Sequence, residues 1–223
     1  MSLLDAIVQT GLMPSATAVQ AIKKRYSEVL SSHLAVEVAS GLRTVGFRGV
    51  KPEAGGPGEL EFQGGLGSKR VDVSVSDQKH GLLLAVSVKG INFPDYGKNL
   101  KNRFADLCTE AISLHMRFPY ACVGGLFVMP AAADADGSRQ RKLSTFRRAM
   151  RLMATVSGRE TYSDVNEKFE RVVMMLYQPV APDVEPWVRL FDALTEQEMS
   201  EEAYFTGLRE QYNRRNPHAM IGE

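Results

Sequence analysis

The sequence predicts an α/β fold, a mixed central sheet of about five strands flanked by helices, with a helical C-terminal extension. Three observations predict it. Apolar residues recur at three- and four-residue spacing in two long stretches, and between those stretches the period drops to two. Two nearly continuous apolar runs, LLLAVSVKG and YACVGGLFVMP, are separated by the second helical stretch, as parallel neighbours joined by a crossover would be.

The elements follow in order. Residues 1–25 form an N-terminal helical segment, residues 26–180 an α/β core and residues 181–223 the helical extension, all within one compact domain. A helix over residues 16–42 places Val19, Ile22, Tyr26, Val29, Leu30, Leu34, Val38 and Leu42 on one stripe, and Gly46 stops it with a left-handed cap. Leu60 and Phe62 alternate with Glu59 and Glu61, whose side chains read as the outward face of an edge strand. Gly64, Gly65 and Gly67 turn the chain, and Val71, Val73 and Val75 alternate with Asp72, Ser74 and Ser76 in a half-buried strand. With LLLAVSVKG this makes a three-stranded meander. A helix over residues 96–117 buries Leu100, Phe104, Leu107, Ala111 and Leu114 and stops before Pro119. Residues 139–156 form a basic helix, FERVVMMLYQP enters a further strand, and residues 195–212 form a charged outer helix.

Composition excludes several classes. With 44% hydrophobic and 24% charged residues in a chain of 223, the protein is not disordered. Two cysteines are too few for a disulfide framework or a structural zinc site and fit a reducing cytoplasm. No apolar run approaches the ~20 residues of a membrane span. The N-terminus lacks the basic start of a secretory signal. A net charge of +1 excludes a histone-like polycation, but local basic surface and acidic metal ligands can cancel in the total.

The chemistry concentrates on Asp72, Ser87 and Lys89. Ser87 and Lys89, two apart on one strand, share a face about 6.6 Å apart. Pairing of adjacent strands brings Asp72 beside them. A lysine at the end of an apolar strand needs an acid, a substrate or solvent as partner. A carboxylate and a lysine so placed are the minimum for metal-assisted phosphodiester hydrolysis: the acid holds Mg²⁺, and the ammonium steadies developing negative charge. A structural ion pair at a sheet end is the plainer alternative.

The stretch KRVDVSVSDQKHGLLLAVSVKG resembles the PD-(D/E)xK nuclease superfamily, with Asp72 as the first acid and Lys89 as the lysine. The resemblance extends over about residues 26–130 and implies a restriction-endonuclease-like core. Val71 replaces the proline, and Ser87 replaces the second acid. In a subset of restriction endonucleases a serine takes this place and the following helix supplies the acid, which here implies Glu110 or Asp106. Glu61 ranks after them, and Glu37 last. The resemblance implies a Mg²⁺-dependent endonuclease on double-stranded DNA, type II-like, acting as a homodimer with a cognate DNA methyltransferase as functional partner. A repair, recombination or phage-defence nuclease without fixed specificity is one alternative. A catalytically inactive DNA-binding protein on the same fold is the other.

Contacts to DNA are expected from Asn99, Asn102 and Arg103, and from the basic segment carrying Arg139, Arg141, Lys142, Arg147, Arg148, Arg151 and Arg159. The histidines show no zinc-ligand spacing. The glycine clusters are not followed by Lys-Ser/Thr and a helix, so a P-loop is excluded.

Overall fold

The computed structural model describes residues 2–55, 58–137 and 142–221. Helix α1 (Leu3–Thr10) opens with a reciprocal cap in which the Ser2 hydroxyl accepts from the Asp5 amide and the Asp5 carboxylate from the Ser2 amide. Helix α2 (Gln20–Thr44) ends as expected at Gly46, whose φ of 98° lets the Phe47 amide reach back to the Leu42 carbonyl and the Gly46 amide to that of Arg43. Strands β1 (Leu60–Gly64) and β2 (Gly67–Val71) follow, then β3 (Val73–Asp77), β4 (Gly81–Gly90), α3 (Tyr96–Arg117), β5 (Cys122–Pro130), α4 (Thr145–Ala154), β6 (Arg171–Gln178), β7 (Trp187–Asp192), β8 (Glu198–Met199) and α5 (Glu201–Arg215).

Strands β3 to β8 form one six-stranded mixed sheet in chain order. The β4–β5 and β5–β6 pairs are parallel, with α3 and α4 in the crossovers, and the remaining pairs are antiparallel. Side chains along the central strands alternate between two cores. Val173, Met175 and Tyr177 of β6 pack with α1, α2 and α5; Val172, Met174 and Leu176 pack with α3 and α4. The result is three layers, helices on both faces of a sheet. Among the described residues, no helix is long and apolar enough to cross a membrane.

Several expectations are corrected. The meander is two hairpins: β1 and β2 form a separate two-stranded sheet, because the expected strand over residues 71–76 breaks at Asp72. Val71 and Val73 consequently enter opposite cores. The sheet has six strands where about five were expected: the strand at Leu60–Gly64 lies outside it, while Trp187–Asp192, despite the prolines before it, and Glu198–Met199 join it. Nor is the C-terminal helix an outer appendage. Tyr204, Phe205, Leu208 and Tyr212 are buried in the core beside α2, hidden in a sequence whose charged residues dominate.

The basic helix is shorter than residues 139–156. It starts at Thr145, where the Ser144 hydroxyl accepts from the Arg147 amide. Arg139 and Arg141 lie outside the described residues. Arg159 lies beyond the helix and is fully buried, paired with Glu170 at 3.0 Å, so it faces no nucleic acid.

Candidate active site

Asp72 stands at the bend between β2 and β3, where neither ladder claims it. Its Oδ2 accepts from the Val88 amide at 2.7 Å and from Lys89 Nζ at 3.3 Å. Lys89 is the last residue but one of β4, and on its other side Nζ lies 3.1 Å from Glu110 Oε2 on α3. One ammonium therefore bridges two carboxylates from different elements. Glu110 is held there because Leu107, Ala111 and Leu114 seat α3 on the sheet.

Burial sets the electrostatics. Desolvation alone would lower the pKa of Lys89, but the charges of Glu110 and Asp72 outweigh it and raise the pKa, so the ammonium stays protonated. Glu110 is pushed up by its own burial; Lys89 pulls it down less, and Asp72 adds to the rise. Beneath them Ser87 is almost wholly buried, and its hydroxyl lies near enough to Glu110 to lower that pKa slightly. Neither Ser87 Oγ nor Glu110 Oε1 completes a hydrogen bond among the described residues. Buried polar atoms left in this state are costly unless something else satisfies them.

Other expected ligands are dispersed. Asp106, one turn before Glu110, is exposed and pairs with Arg103 at 3.1 Å. Glu61 is exposed on β1 and accepts from Ser68 instead of joining the cluster. Glu37 is buried in α2, where its pKa is raised by desolvation and by Asp5, a setting apart from Lys89. The acid that the sequence reading set aside is Glu59. Its pKa is raised first by partial burial and then by the Asp72 charge, with Arg70 and Lys89 opposing. The signal for it lay in the hairpin: Gly64 opposite Gly67 and Leu60 opposite Val71 bring Glu59 opposite Asp72 one step beyond the ladder.

Lys89 and Asp72 floor a cleft of about 790 Å³. Residues of α2 form one wall and residues of α3 the other, with the β4–α3 loop between. The expected contacts Asn99, Asn102 and Arg103 line it. Lys142 and Arg148 are exposed elsewhere, and Arg147 lies 3.8 Å from Asp134; none lines the cleft.

Among the described residues, no three Asp, Glu, His or Cys side chains gather as a ready-made metal cage. The donor set is two carboxylates, Asp72 and Glu110, with an unpartnered oxygen on the second. That fits Mg²⁺, which keeps several waters and takes one or two carboxylates.

No family model matches the chain, and comparison with curated proteins gives no match. Among solved structures, the chain is similar to the central domain of yeast acetyl-CoA carboxylase, with 9% identity and a TM-score of 0.42. That alignment takes in 92% of this chain and 31% of the other, a likeness too slight to carry any functional argument.

Proposed function

We propose that the chain is a Mg²⁺-dependent nuclease that hydrolyses phosphodiester bonds in DNA. The observation that carries this reading is the bridging of Asp72 and Glu110 by Lys89 Nζ, at 3.3 and 3.1 Å, with Asp72 and Lys89 on the floor of a polar cleft and Glu110 buried behind them. It supports the restriction-endonuclease-like variant in which Ser87 stands at the second acid position and the following helix supplies the carboxylate.

Asp72 and Glu110 would hold the metal, and the chemistry a bound Mg²⁺ supplies is neutralisation of phosphate charge and acidification of water. Lys89 stays protonated, so it serves as a donor to the oxygen that gains charge and not as a base. The Val88 amide fixes the Asp72 carboxylate before substrate arrives, which removes a reorganisation cost from the reaction. Double-stranded DNA as the substrate, a homodimer matched to a palindromic site, a cognate methyltransferase and a cytoplasmic location belong to the same proposal.

Supercoiled plasmid incubated with Mg²⁺, and in parallel with a chelator, tests it. The expected result is nicked or linear DNA with Mg²⁺ alone, and a loss of roughly 10²-fold or more in Asp72→Asn and Lys89→Ala. Discrete fragments indicate fixed recognition, whereas a smear indicates a repair or defence nuclease. Absence of cutting on any substrate overturns the reading.

A second reading, DNA binding without hydrolysis, is favoured by the Ser87 departure and by an ammonium that already pairs with both carboxylates where a metal would sit. Its signature is DNA retention by wild type and Lys89→Ala alike, with no Mg²⁺-dependent product.

A further inference from the structure

We propose that the cleft receives one unpaired polynucleotide strand, stacking a base on Phe93 and leading its phosphate to Lys89; this rests on the nuclease reading and goes beyond it in the substrate, putting a single strand where that reading has a duplex. The volume is the first argument. About 790 Å³ lies inside the ~300–1,000 Å³ range of sites that enclose small ligands, room for the bulk of a dinucleotide.

The lining is the second. Along α3, Lys98, Asn99, Asn102, Arg103 and Asp106 form a track about 12 Å long by helical rise, and Lys23, Lys24 and Glu28 face it from α2. Both walls carry cations, amides and carboxylates, with Glu28 paired to Lys24 at 3.7 Å and Asp106 to Arg103 at 3.1 Å. Amides and carboxylates match base edges, which offer both donors and acceptors and, on an unpaired strand, are open on every edge. Asp95, at the mouth of α3, makes no capping hydrogen bond with its side chain, and its carboxylate is available to a base amino group.

Phe93 is the third. It is half-buried in the β4–α3 loop, held edge-to-face by Tyr26 with ring centroids 5.8 Å apart, and lines the cleft. Lys23 Nζ lies over the ring, 5.8 Å from its centroid, and donates to the Ala16 carbonyl at 3.1 Å. A base stacked here would displace that ammonium from the ring towards the adjoining phosphate, giving the aromatic platform and the cation of single-strand sites.

The test is fluorescence anisotropy of the full chain, without divalent metal, against a labelled oligodeoxynucleotide, the same strand in a blunt duplex, and the matching oligoribonucleotide. The single strand is expected to bind at least about tenfold tighter than the duplex. Phe93→Leu, verified as folded by circular dichroism, is expected to weaken it about five- to a hundredfold, and Phe93→Trp to restore it. Lys98→Gln is expected to flatten the salt dependence. Tighter ribonucleotide binding assigns the strand to RNA, and tighter or equal deoxyribonucleotide binding assigns it to DNA; both support the proposal. Duplex binding as tight as single-strand binding, or a folded Phe93→Leu that binds like wild type, overturns it. Because no metal is present, these outcomes are independent of cutting: duplex preference with Mg²⁺-dependent hydrolysis sinks this inference alone, and strand binding without hydrolysis sinks the nuclease reading alone.

Discussion

The Val88 amide donates to Asp72 Oδ2 at 2.7 Å, in the position a backbone carbonyl would occupy had β3 continued. The antiparallel register sets Val73 against Val86, so the next ladder acceptor for Val88 would come from residue 71. The chain leaves the sheet at Asp72 instead, and a side chain completes the bond. That exchange fixes the carboxylate beside Lys89.

Asp72→Asn keeps an oxygen that can accept from Val88 and removes the charge. It is expected to unfold within about 1 kcal/mol of wild type while losing activity. Asp72→Ala strands a buried amide and is expected to cost about 1–3 kcal/mol. Urea denaturation of both variants separates the two roles, and equal stabilities would refute the account of the bend.

Glu110 is the acid whose ionisation burial opposes. Its pKa is raised in the folded state, so its contribution to stability is full below the ordinary value of 4.5 and is lost as pH rises through the folded pKa. Glu110→Gln removes that penalty. The variant is expected to melt at or above the wild-type temperature at neutral pH while failing to cut. A fall of more than about 4 °C, roughly 1–2 kcal/mol in a chain of this size, would contradict this balance.

Glu170 shows the opposite sign. Burial would raise its pKa, but the His115 ring 3.3 Å away, the hydrogen bond from the Val123 amide and the Arg215 guanidinium together hold it below the ordinary 4.5. Protons therefore bind the unfolded chain first. The stability Glu170 contributes is present above about pH 4.5 and is lost as pH falls through the lower folded value. Glu170→Gln leaves Arg159 buried without its carboxylate and is expected to cost about 3–5 kcal/mol at neutral pH. Calorimetry from pH 3 to 7 checks both, since the variant's loss relative to wild type must shrink in acid.

Gly41 sets how closely α2 and α5 approach. A methyl group there would overlap the Phe205 ring, which is itself packed against Tyr204. Gly41→Ala is expected to destabilise by about 1–3 kcal/mol even though alanine is the better helix former. An increase in thermal midpoint would show that the helices separate freely.

How much of this was legible in the sequence depended on the range of the interaction. Helix α3 and strand β5 follow from apolar spacing and from Pro119 and Pro130, because period and breakers act within a few residues. Strand β7 was missed because Arg189 and the prolines before it obscure a short pattern whose burial comes from β6. The pairing of two strands joined by a short turn places Asp72 beside Ser87 or Lys89, and the structure sets it 3.3 Å from Lys89, from the bend before β3 and not from the ladder.

The sequence by itself determined the layers, the lysine at the strand end and the aspartate beside it, since each rests on local period and neighbouring pairing. Only the tertiary structure decided which acid of α3 meets Lys89. Asp106 and Glu110 share a helical face, and the choice falls to the depth at which Leu107, Ala111 and Leu114 seat that helix on the sheet. It also decided the bend that sends Val71 and Val73 to opposite cores, because a buried amide 16 residues away needed an acceptor.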